Sequence, residues 1–138
     1  IEPFLVASTV NVVIAQRLVR KICERCRASH ELDPHEKKMI DSDQHLSALW
    51  KAKKAPSLVF KGMGCPACNH TGYLGRVGIF EVLEMTDLVK PLVTKRAPSS
   101  EIMAVARKEG MTTMLEDGID KIIRGVTTLE EVLRATRE

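Results

Sequence analysis

Two short segments, Cys23-Glu24-Arg25-Cys26 and Cys65-Pro66-Ala67-Cys68, contain all four cysteines of the chain. A Cys-x-x-Cys turn directs both sulfurs into one small volume, and two such turns supply the four thiolates that a structural Zn²⁺ binds at about 2.3 Å. The sequence therefore predicts one tetrahedral zinc site that joins two segments separated by 38 residues. The predicted ligands are Cys23, Cys26, Cys65 and Cys68. Such a site has no open coordination position, so it predicts how the chain is held together and does not predict a reaction.

Length and composition are those of a soluble globular protein. The chain has 138 residues, of which 44% are hydrophobic and 28% are charged, which excludes a disordered or membrane-spanning chain. The net charge of +3 is too small to require a polyanionic partner. Thiols spaced for zinc, with no signal peptide, favour a reducing cytoplasm. Because no methionine opens the chain, we expect it to be a fragment of a longer protein.

Two stretches with the composition of strands flank the cysteine pairs, over residues 10–19 and 73–84. Their positions predict an antiparallel pair whose connection contains a zinc module. Inside that connection, Asp33-Pro34-His35-Glu36 is typical of a helix start and predicts a helix near 34–52, with a break around 41–43. Residues 57–60 predict a short strand that leads into the second cysteine pair.

From residue 86 onward the apolar spacing becomes helical. It predicts helices near 87–95 and 100–109, and two more that begin at the capping residues Thr113 and Thr128. The predicted fold is α+β and mainly α. The predicted division comprises a terminal strand region at 1–21, a zinc module at 22–72, a returning strand at 73–85 and a C-terminal helical bundle at 86–138.

Other chemistry has weaker support in the sequence. A redox dithiol is an alternative for the cysteines, but redox motifs typically use a single pair. His30 and His70 lie near the cysteines, yet four thiolates already complete a tetrahedron, which leaves His70 at most a hydrogen bond to a sulfur. No Gly-x-x-x-x-Gly-Lys-Ser/Thr loop occurs, so the sequence predicts neither a nucleotide site nor a catalytic residue within this chain.

Basic residues crowd the first cysteine pair, with Glu24 as the only acid among them: Arg17, Arg20, Lys21, Arg25 and Arg27. Their simplest role is to offset the negative charge of a zinc–thiolate centre. A contact with phosphate or with an acidic partner is the other interpretation, and it keeps a zinc-ribbon nucleic-acid-binding module as an alternative function. A thiol oxidoreductase is the second alternative.

Several motifs, in their order along the chain, resemble secretion ATPases of the GspE/PilB family. The matching stretches cover nearly the whole chain: residues 2–8, residues 15–20 with the first cysteine pair, Gly64-Cys65-Pro66-x-Cys68, residues 72–81, residues 110–118 and residues 125–132. The ordered combination is far more specific than any one of these pieces. The chain is therefore identified as a C-terminal fragment of such an ATPase.

The resemblance implies a hexameric RecA-like ATPase in the cytoplasm, peripheral to the inner membrane, that powers type II secretion or type IV pilus assembly. It implies ATP and Mg²⁺ as cofactors of the longer protein, and inner-membrane platform proteins as partners in place of nucleic acid. The resemblance implies that the four cysteines bind the metal and that no residue present is catalytic. We therefore expect this chain to contain the end of the RecA-like domain and to be inactive on its own. Since related retraction motors lack the four cysteines, the resemblance favours an assembly or secretion motor.

Overall fold

A computed structural model describes residues 1–137 of the chain. The helices and strands have the following bounds: α1 Pro3–Thr9, β1 Val12–Ile22, β2 Arg27–Glu31, α2 Pro34–Asp41, α3 Gln44–Ala52, β3 Leu58–Gly62, a 3-10 turn at Pro66–Cys68, β4 Tyr73–Glu84, α4 Lys90–Thr94, α5 Ser99–Lys108, α6 Met114–Ile123 and α7 Leu129–Thr136. The fold is α+β, as predicted. No helix in this part of the chain is long and apolar enough to cross a membrane.

The two strands expected around the cysteine pairs are β1 and β4, which form a two-stranded sheet. Cys23 N donates to Gly72 O at one end, and Met85 N donates to Asn11 O at the other, both at 2.9 Å. These two bonds show that the strands run antiparallel, as predicted. The division of the chain into two compact units falls within both strands: residues 1–16 and 80–113 form unit 1, and residues 17–79 and 114–138 form unit 2.

Unit 1 is a small helical unit in which α4 packs against α1 and α5. Val89 and Leu92 are buried in it, whereas many of its other large apolar side chains are exposed. The exposed set in its strand segments comprises Val12, Val13, Ile14, Phe80 and Val82. Exposure of adjacent residues leaves both faces of β1 uncovered here, because successive side chains of a strand point to opposite faces.

Unit 2 contains a second sheet, in which β2 pairs antiparallel with β3 and Arg27 lies opposite Gly62. Strand β3 was predicted, but β2 was not, because its sequence Arg-Ala-Ser-His-Glu contains no β-branched or aromatic residue. Helix α2 begins with the predicted capping box: Glu36 N donates to Asp33 Oδ1 at 2.7 Å, and Asp33 N donates to Glu36 Oε1 at 3.1 Å. The predicted break between α2 and α3 is confirmed.

The main core of unit 2 is shared between the segment that connects the cysteine pairs and the last two helices. Leu46 and Trp50 of α3 and Val59 of β3 belong to one buried cluster with apolar residues of α6 and α7. The α6 and α7 members are Ile119, Ile122, Leu129, Val132 and Leu133. Residues 22–72 therefore do not bury their apolar side chains alone, because α6 and α7 complete the core.

Helices α6 and α7 approach closely because residue 118 has no side chain. A Cβ added to Gly118 would lie 2.5 Å from Cγ1 of Val132, a distance that real Cβ contacts do not reach. The four predicted helices after β4 are all present, but α4 and α5 belong to unit 1 whereas α6 and α7 belong to unit 2. Their arrangement as one C-terminal bundle stays a prediction.

A buried carboxylate connects α7 to β1. Glu131 is fully buried, and its carboxylate accepts from Arg20 N at 2.8 Å, from an Arg20 Nη at 3.0 Å and from an Arg134 Nη at 2.9 Å. Burial alone raises the pKa of Glu131, but the hydrogen bonds from Arg20 and Arg134 outweigh burial and lower it to about 2. The ionised form is therefore the form that stabilises the fold.

Glu131→Gln is expected to lower the free energy of unfolding at pH 7 by about 2 kcal/mol, since it removes the charged acceptor from both half-exposed guanidinium groups. A depressed pKa contributes stability above the unfolded-state value of about 4.3, and this contribution is lost as the pH falls toward 2. The difference between the two proteins should therefore shrink between about pH 5 and pH 2. Urea unfolding followed by circular dichroism at several pH values measures it.

The matched control is the exposed neighbour, Glu130→Gln, which should change the stability little. A Glu131→Gln protein as stable as the control at pH 7, or a difference that does not depend on pH, would contradict the assignment.

Candidate metal centre

The cysteine pairs lie in the two turns that connect the sheets of unit 2. The first pair occupies the turn between β1 and β2, and the second occupies the 3-10 turn between β3 and β4. The β2–β3 and β1–β4 pairings therefore meet at these turns, and the two turns lie side by side. The sequence predicted this placement for β1, β3 and β4 and missed it for β2.

The four sulfur atoms converge on one point. All four Sγ atoms lie within 4.8 Å of one another. Three of the separations are 3.8 Å: Cys23 to Cys65, Cys26 to Cys68, and Cys65 to Cys68. A tetrahedron with metal–sulfur bonds of about 2.3 Å has sulfur–sulfur edges of about 3.8 Å. The arrangement therefore has the size that a tetrahedral metal–thiolate centre requires.

Backbone N–H groups point at two of the sulfurs. Gly64 N donates to Cys26 Sγ, while Cys65 N and Gly72 N both donate to Cys68 Sγ, each at 3.3 Å. Such donors stabilise a thiolate more than a thiol, because the charged sulfur is the stronger acceptor. Cys26 and Cys68 are therefore oriented by backbone hydrogen bonds as well as by their own side-chain torsions.

The pKa values of Cys26 and Cys68 are shifted in opposite directions. Burial opposes ionisation of Cys68, but hydrogen bonds from the Cys65 and Gly72 backbone and from neighbouring thiols outweigh it and lower the pKa of Cys68 to about 6. Burial raises the pKa of Cys26 to about 11, against the opposing bond from Gly64 N. Close thiols cannot all ionise together without a cation, because each thiolate disfavours the next. Cys68 therefore ionises at a lower pH than Cys26, and a cation is needed for all four thiols to ionise together.

A close contact between two glycines holds the turns together. A Cβ on Gly62 would lie 2.0 Å from the carbonyl oxygen of Gly72, so only glycine permits this approach of β3 to the start of β4. Gly72 also has φ +83°, the left-handed region that favours glycine. Its carbonyl accepts from Cys23 N at 2.9 Å. One backbone position therefore contacts both cysteine turns.

Neither histidine that the sequence placed near the cysteines joins the sulfur cluster. His30 pairs through Nε2 with Glu36 Oε1 at 2.8 Å. The backbone of His70, at φ +61°, donates to Cys65 O at 2.9 Å, and its ring makes no hydrogen bond to a sulfur among residues 1–137. A second group of potential ligands, His30, Asp33 and Glu36, also lies within 4.8 Å, but its carboxylates form the capping box of α2. The four cysteines are therefore the best-formed candidate site.

Contacts that the sequence did not reveal connect the metal centre to α7. The Arg20 guanidinium lies 4.1 Å from the centroid of the Tyr73 ring, and the Tyr73 hydroxyl lies 2.9 Å from Thr128 Oγ1. The buried Thr127 hydroxyl donates to Arg20 O at 2.8 Å, and Ile22 N donates to Val126 O at 2.9 Å. The α6–α7 loop thus bonds to the end of β1, immediately before Cys23.

The only sequence signal for these contacts was the spacing of Thr128 and Glu131, which is typical of a capping box. Half of that box forms, since Glu131 N donates to Thr128 Oγ1 at 3.3 Å. The Glu131 carboxylate does not complete it and instead accepts from Arg20. A local pattern therefore located the helix start correctly and missed the long-range role of the glutamate.

Comparison with known proteins relates the whole chain to one family. The profile described as "Type II/IV secretion system protein" matches residues 1–134. The type II secretion system ATPase E of Vibrio cholerae is 39% identical over 138 residues, 100% of this chain and 25% of that protein. The type IV pilus assembly ATPase PilB of Thermus thermophilus is 38% identical over 138 residues, 100% of this chain and 15% of that protein.

A third relative, the type II secretion system protein HxcR of Pseudomonas aeruginosa, is 39% identical over 138 residues, again 100% of this chain and 24% of that protein. The chain thus spans a quarter or less of the length of these relatives. The resemblance drawn from the sequence motifs is confirmed. A profile match over almost every residue, together with identities of 38% to 39% along the full chain, shows that this chain belongs to the type II/IV secretion system protein family.

Proposed function

We propose that this chain is a zinc-stabilised part of an ATPase that powers type II protein secretion or type IV pilus assembly. The observation that carries the proposal is the identity of 38% to 39% over all 138 residues with ATPases named for these two systems. Hydrolysis of ATP, with Mg²⁺, belongs in this proposal to the remainder of the longer protein, because no phosphate-binding loop occurs in these residues. In this proposal the chain follows the nucleotide-binding motifs and is the C-terminal part of the longer protein.

The metal in this proposal is structural Zn²⁺, bound by Cys23, Cys26, Cys65 and Cys68. Four sulfurs within 4.8 Å of one another, with three separations of 3.8 Å, match the donor set and the size of a closed zinc site. Two of the sulfurs also accept backbone N–H bonds. When bound, zinc supplies the positive charge that lets all four thiols ionise and remain together. The chain's own groups orient the sulfurs and bury Cys23 and Cys68 from water.

A thiol oxidoreductase fits this geometry less well. A disulfide needs a sulfur–sulfur distance of about 2.05 Å, whereas the 3.8 Å separations here occur both within a pair and between pairs. A redox dithiol also works through one reactive pair that is partly exposed, while Cys23 and Cys68, one from each pair, are buried.

The remainder of the longer protein is proposed to continue the sheet of β1 and β4 as part of a RecA-like domain. The carbonyl of Asn11 accepts from Met85 N, at the end of β4, whereas the backbone of Arg20 bonds to Glu131 and Thr127. The backbone N–H and C=O groups of the even-numbered residues of β1 therefore point away from β4. Residues 11–18 are exposed throughout, including the large apolar side chains of Val12, Ile14 and Leu18. A strand with one open edge and two uncovered faces is typical of the interior of a larger sheet.

In this proposal the zinc module serves as a rigid lever or docking surface within a cytoplasmic homo-hexamer. Its partners are platform proteins of the inner membrane, which would account for peripheral membrane association. The support is the position of the four cysteines at the end of β1, together with the core that residues 22–72 share with α6 and α7.

The metal assignment predicts one zinc per chain. Cys68→Ser and Cys65→Ser should each lose bound zinc, and chelation of the wild-type zinc should unfold the connection between the pairs, because structural zinc binding is coupled to folding. Metal analysis of the purified chain and circular dichroism before and after chelation test this.

The matched control is His70→Ala, which changes the other potential ligand beside the second pair and should keep a full equivalent of zinc. The assignment fails if either serine variant keeps its zinc, or if the purified protein contains disulfides in place of metal.

Because the proposal places ATP hydrolysis in the remainder of the longer protein, it predicts that this chain alone does not hydrolyse ATP. The longer natural protein should release phosphate from ATP in the presence of Mg²⁺, whereas residues 1–138 should release no more than buffer does, because the phosphate-binding loop is absent. A phosphate-release assay at equal molar concentrations checks both. Turnover by the short chain after removal of contaminating ATPases would contradict the assignment.

The transport function is tested in the host with the full-length protein. Replacement by Cys65→Ser with Cys68→Ser should abolish protein secretion or assembly of surface pili, while His70→Ala should leave them at the wild-type level. Secreted protein and surface pili are measured together with the cellular amount of each variant. Normal secretion and normal pili in a strain whose variant has lost its zinc would contradict a mechanical role for the module.

A further inference from the structure

Basic side chains from three separate segments line one cavity in unit 2. The cavity has a volume of about 240 Å³ and lies between the first cysteine turn, β4 and the end of α6. Its charged lining comprises Lys21, Arg27, Lys121, Arg124 and a single acid, Glu24. Lys21 and Arg27 come from the end of β1 and the start of β2, about 100 residues before Lys121 of α6 and Arg124, which directly follows α6. Their convergence is therefore a product of the tertiary fold.

One of these cations is already neutralised. Lys121 Nζ lies 2.9 Å from both carboxylate oxygens of Asp117, one turn earlier in α6. Among residues 1–137, by contrast, no carboxylate forms an ion pair with Lys21, Arg27 or Arg124. Glu24 lines the same cavity without pairing with them. Like charges brought together without partners repel, so the arrangement favours an added anion.

Arg27 is held in place without being neutralised. Its Nη1 donates to the carbonyl oxygen of Gly125 at 3.2 Å, and its guanidinium lies 5.6 Å from the centroid of the Phe60 ring. Both are neutral partners, and a guanidinium has five N–H donors, so most of its hydrogen-bonding capacity is left over. A pre-positioned arginine with spare donors is the side chain best suited to bind a phosphate group.

Two simpler roles do not account for the whole set. Cations in the last turn of a helix interact favourably with its C-terminal dipole, which explains Lys121 or Arg124 but not Lys21 and Arg27 from other segments. Counter-charge for the thiolates explains basic residues beside the cysteines, and Arg25, which does not line the cavity, is available for that role. Neither role requires Arg124 to share a cavity with Lys21.

We propose that this cavity binds a phosphate or pyrophosphate group through Lys21, Arg27 and Arg124. Its volume is below the roughly 300 Å³ of the smallest typical pockets for drug-sized ligands, so it admits a small anion or the phosphate end of a larger molecule. The bound anion would connect the first cysteine turn to the end of α6. The site is independent of the proposed ATPase function, because none of its residues belongs to a nucleotide-binding motif.

The test is calorimetric titration of the zinc-loaded chain with inorganic phosphate and pyrophosphate at low salt. We expect saturable binding, tighter for the more highly charged pyrophosphate, that weakens as sodium chloride is added. Arg124→Gln and Lys21→Gln should each weaken binding about tenfold, since each removes one charge-assisted contact. Lys108→Gln, an exposed cation in α5 outside the cavity, is the matched control and should bind like the wild type.

Zinc content and melting temperature establish that each variant is folded. A parallel titration with ADP identifies the source of the group: binding as tight as that of pyrophosphate assigns the terminal phosphates of a nucleotide, and binding of pyrophosphate alone assigns a free anion. The proposal is overturned if no saturable binding is found, or if the folded Arg124→Gln and Lys21→Gln proteins bind both anions as tightly as Lys108→Gln does.

Discussion

The approach of four sulfur atoms to within 4.8 Å of one another is the constraint on which unit 2 depends. It brings the turn after β1 against the turn before β4 and so closes the connection that contains β2, α2, α3 and β3. Four thiols at this distance cannot ionise together without a cation, since each negative charge raises the energy of the next. A metal at their centre would convert that repulsion into attraction, and the fold of this region would then depend on charge as well as on burial.

The metal centre is not the only contact that holds the end of β1. The Glu131 carboxylate accepts from Arg20 N and the Thr127 hydroxyl donates to Arg20 O, as the backbone of a neighbouring strand would. Val126 O accepts from Ile22 N. The α6–α7 loop therefore satisfies the edge of β1 just before Cys23, whereas the preceding residues of the strand keep an exposed edge. The connecting segment also shares its core with α6 and α7, so the cysteine cluster, the Glu131 network and apolar packing join the same parts of unit 2 through different residues.

The two parts of β1 have different surroundings. The segment of β1 before Arg17 has exposed apolar side chains on both faces, while the segment after it is bonded on both edges. One strand thus passes from a segment whose two faces are exposed into a segment whose two edges are both hydrogen-bonded.

Features that depend on neighbouring residues were readable from the amino-acid sequence. The two Cys-x-x-Cys turns, the capping box at Asp33, the break between α2 and α3 and both bounds of β4 follow from local spacing and propensity. The ordered motifs were also sufficient to identify the family, because their combination is rare. Strand β2 could not be predicted from the sequence, since Arg-Ala-Ser-His-Glu has no intrinsic preference for a strand and becomes one only through its pairing with β3.

Three features were decided by the tertiary structure alone. Glu131 turns away from its own helix start to bind Arg20, and Arg124 meets Lys21 in one cavity. Helices α6 and α7 complete the core of the segment between the cysteine pairs. The physical reason is that each of these contacts joins residues about 70 to 110 positions apart, where sequence spacing carries no information about distance.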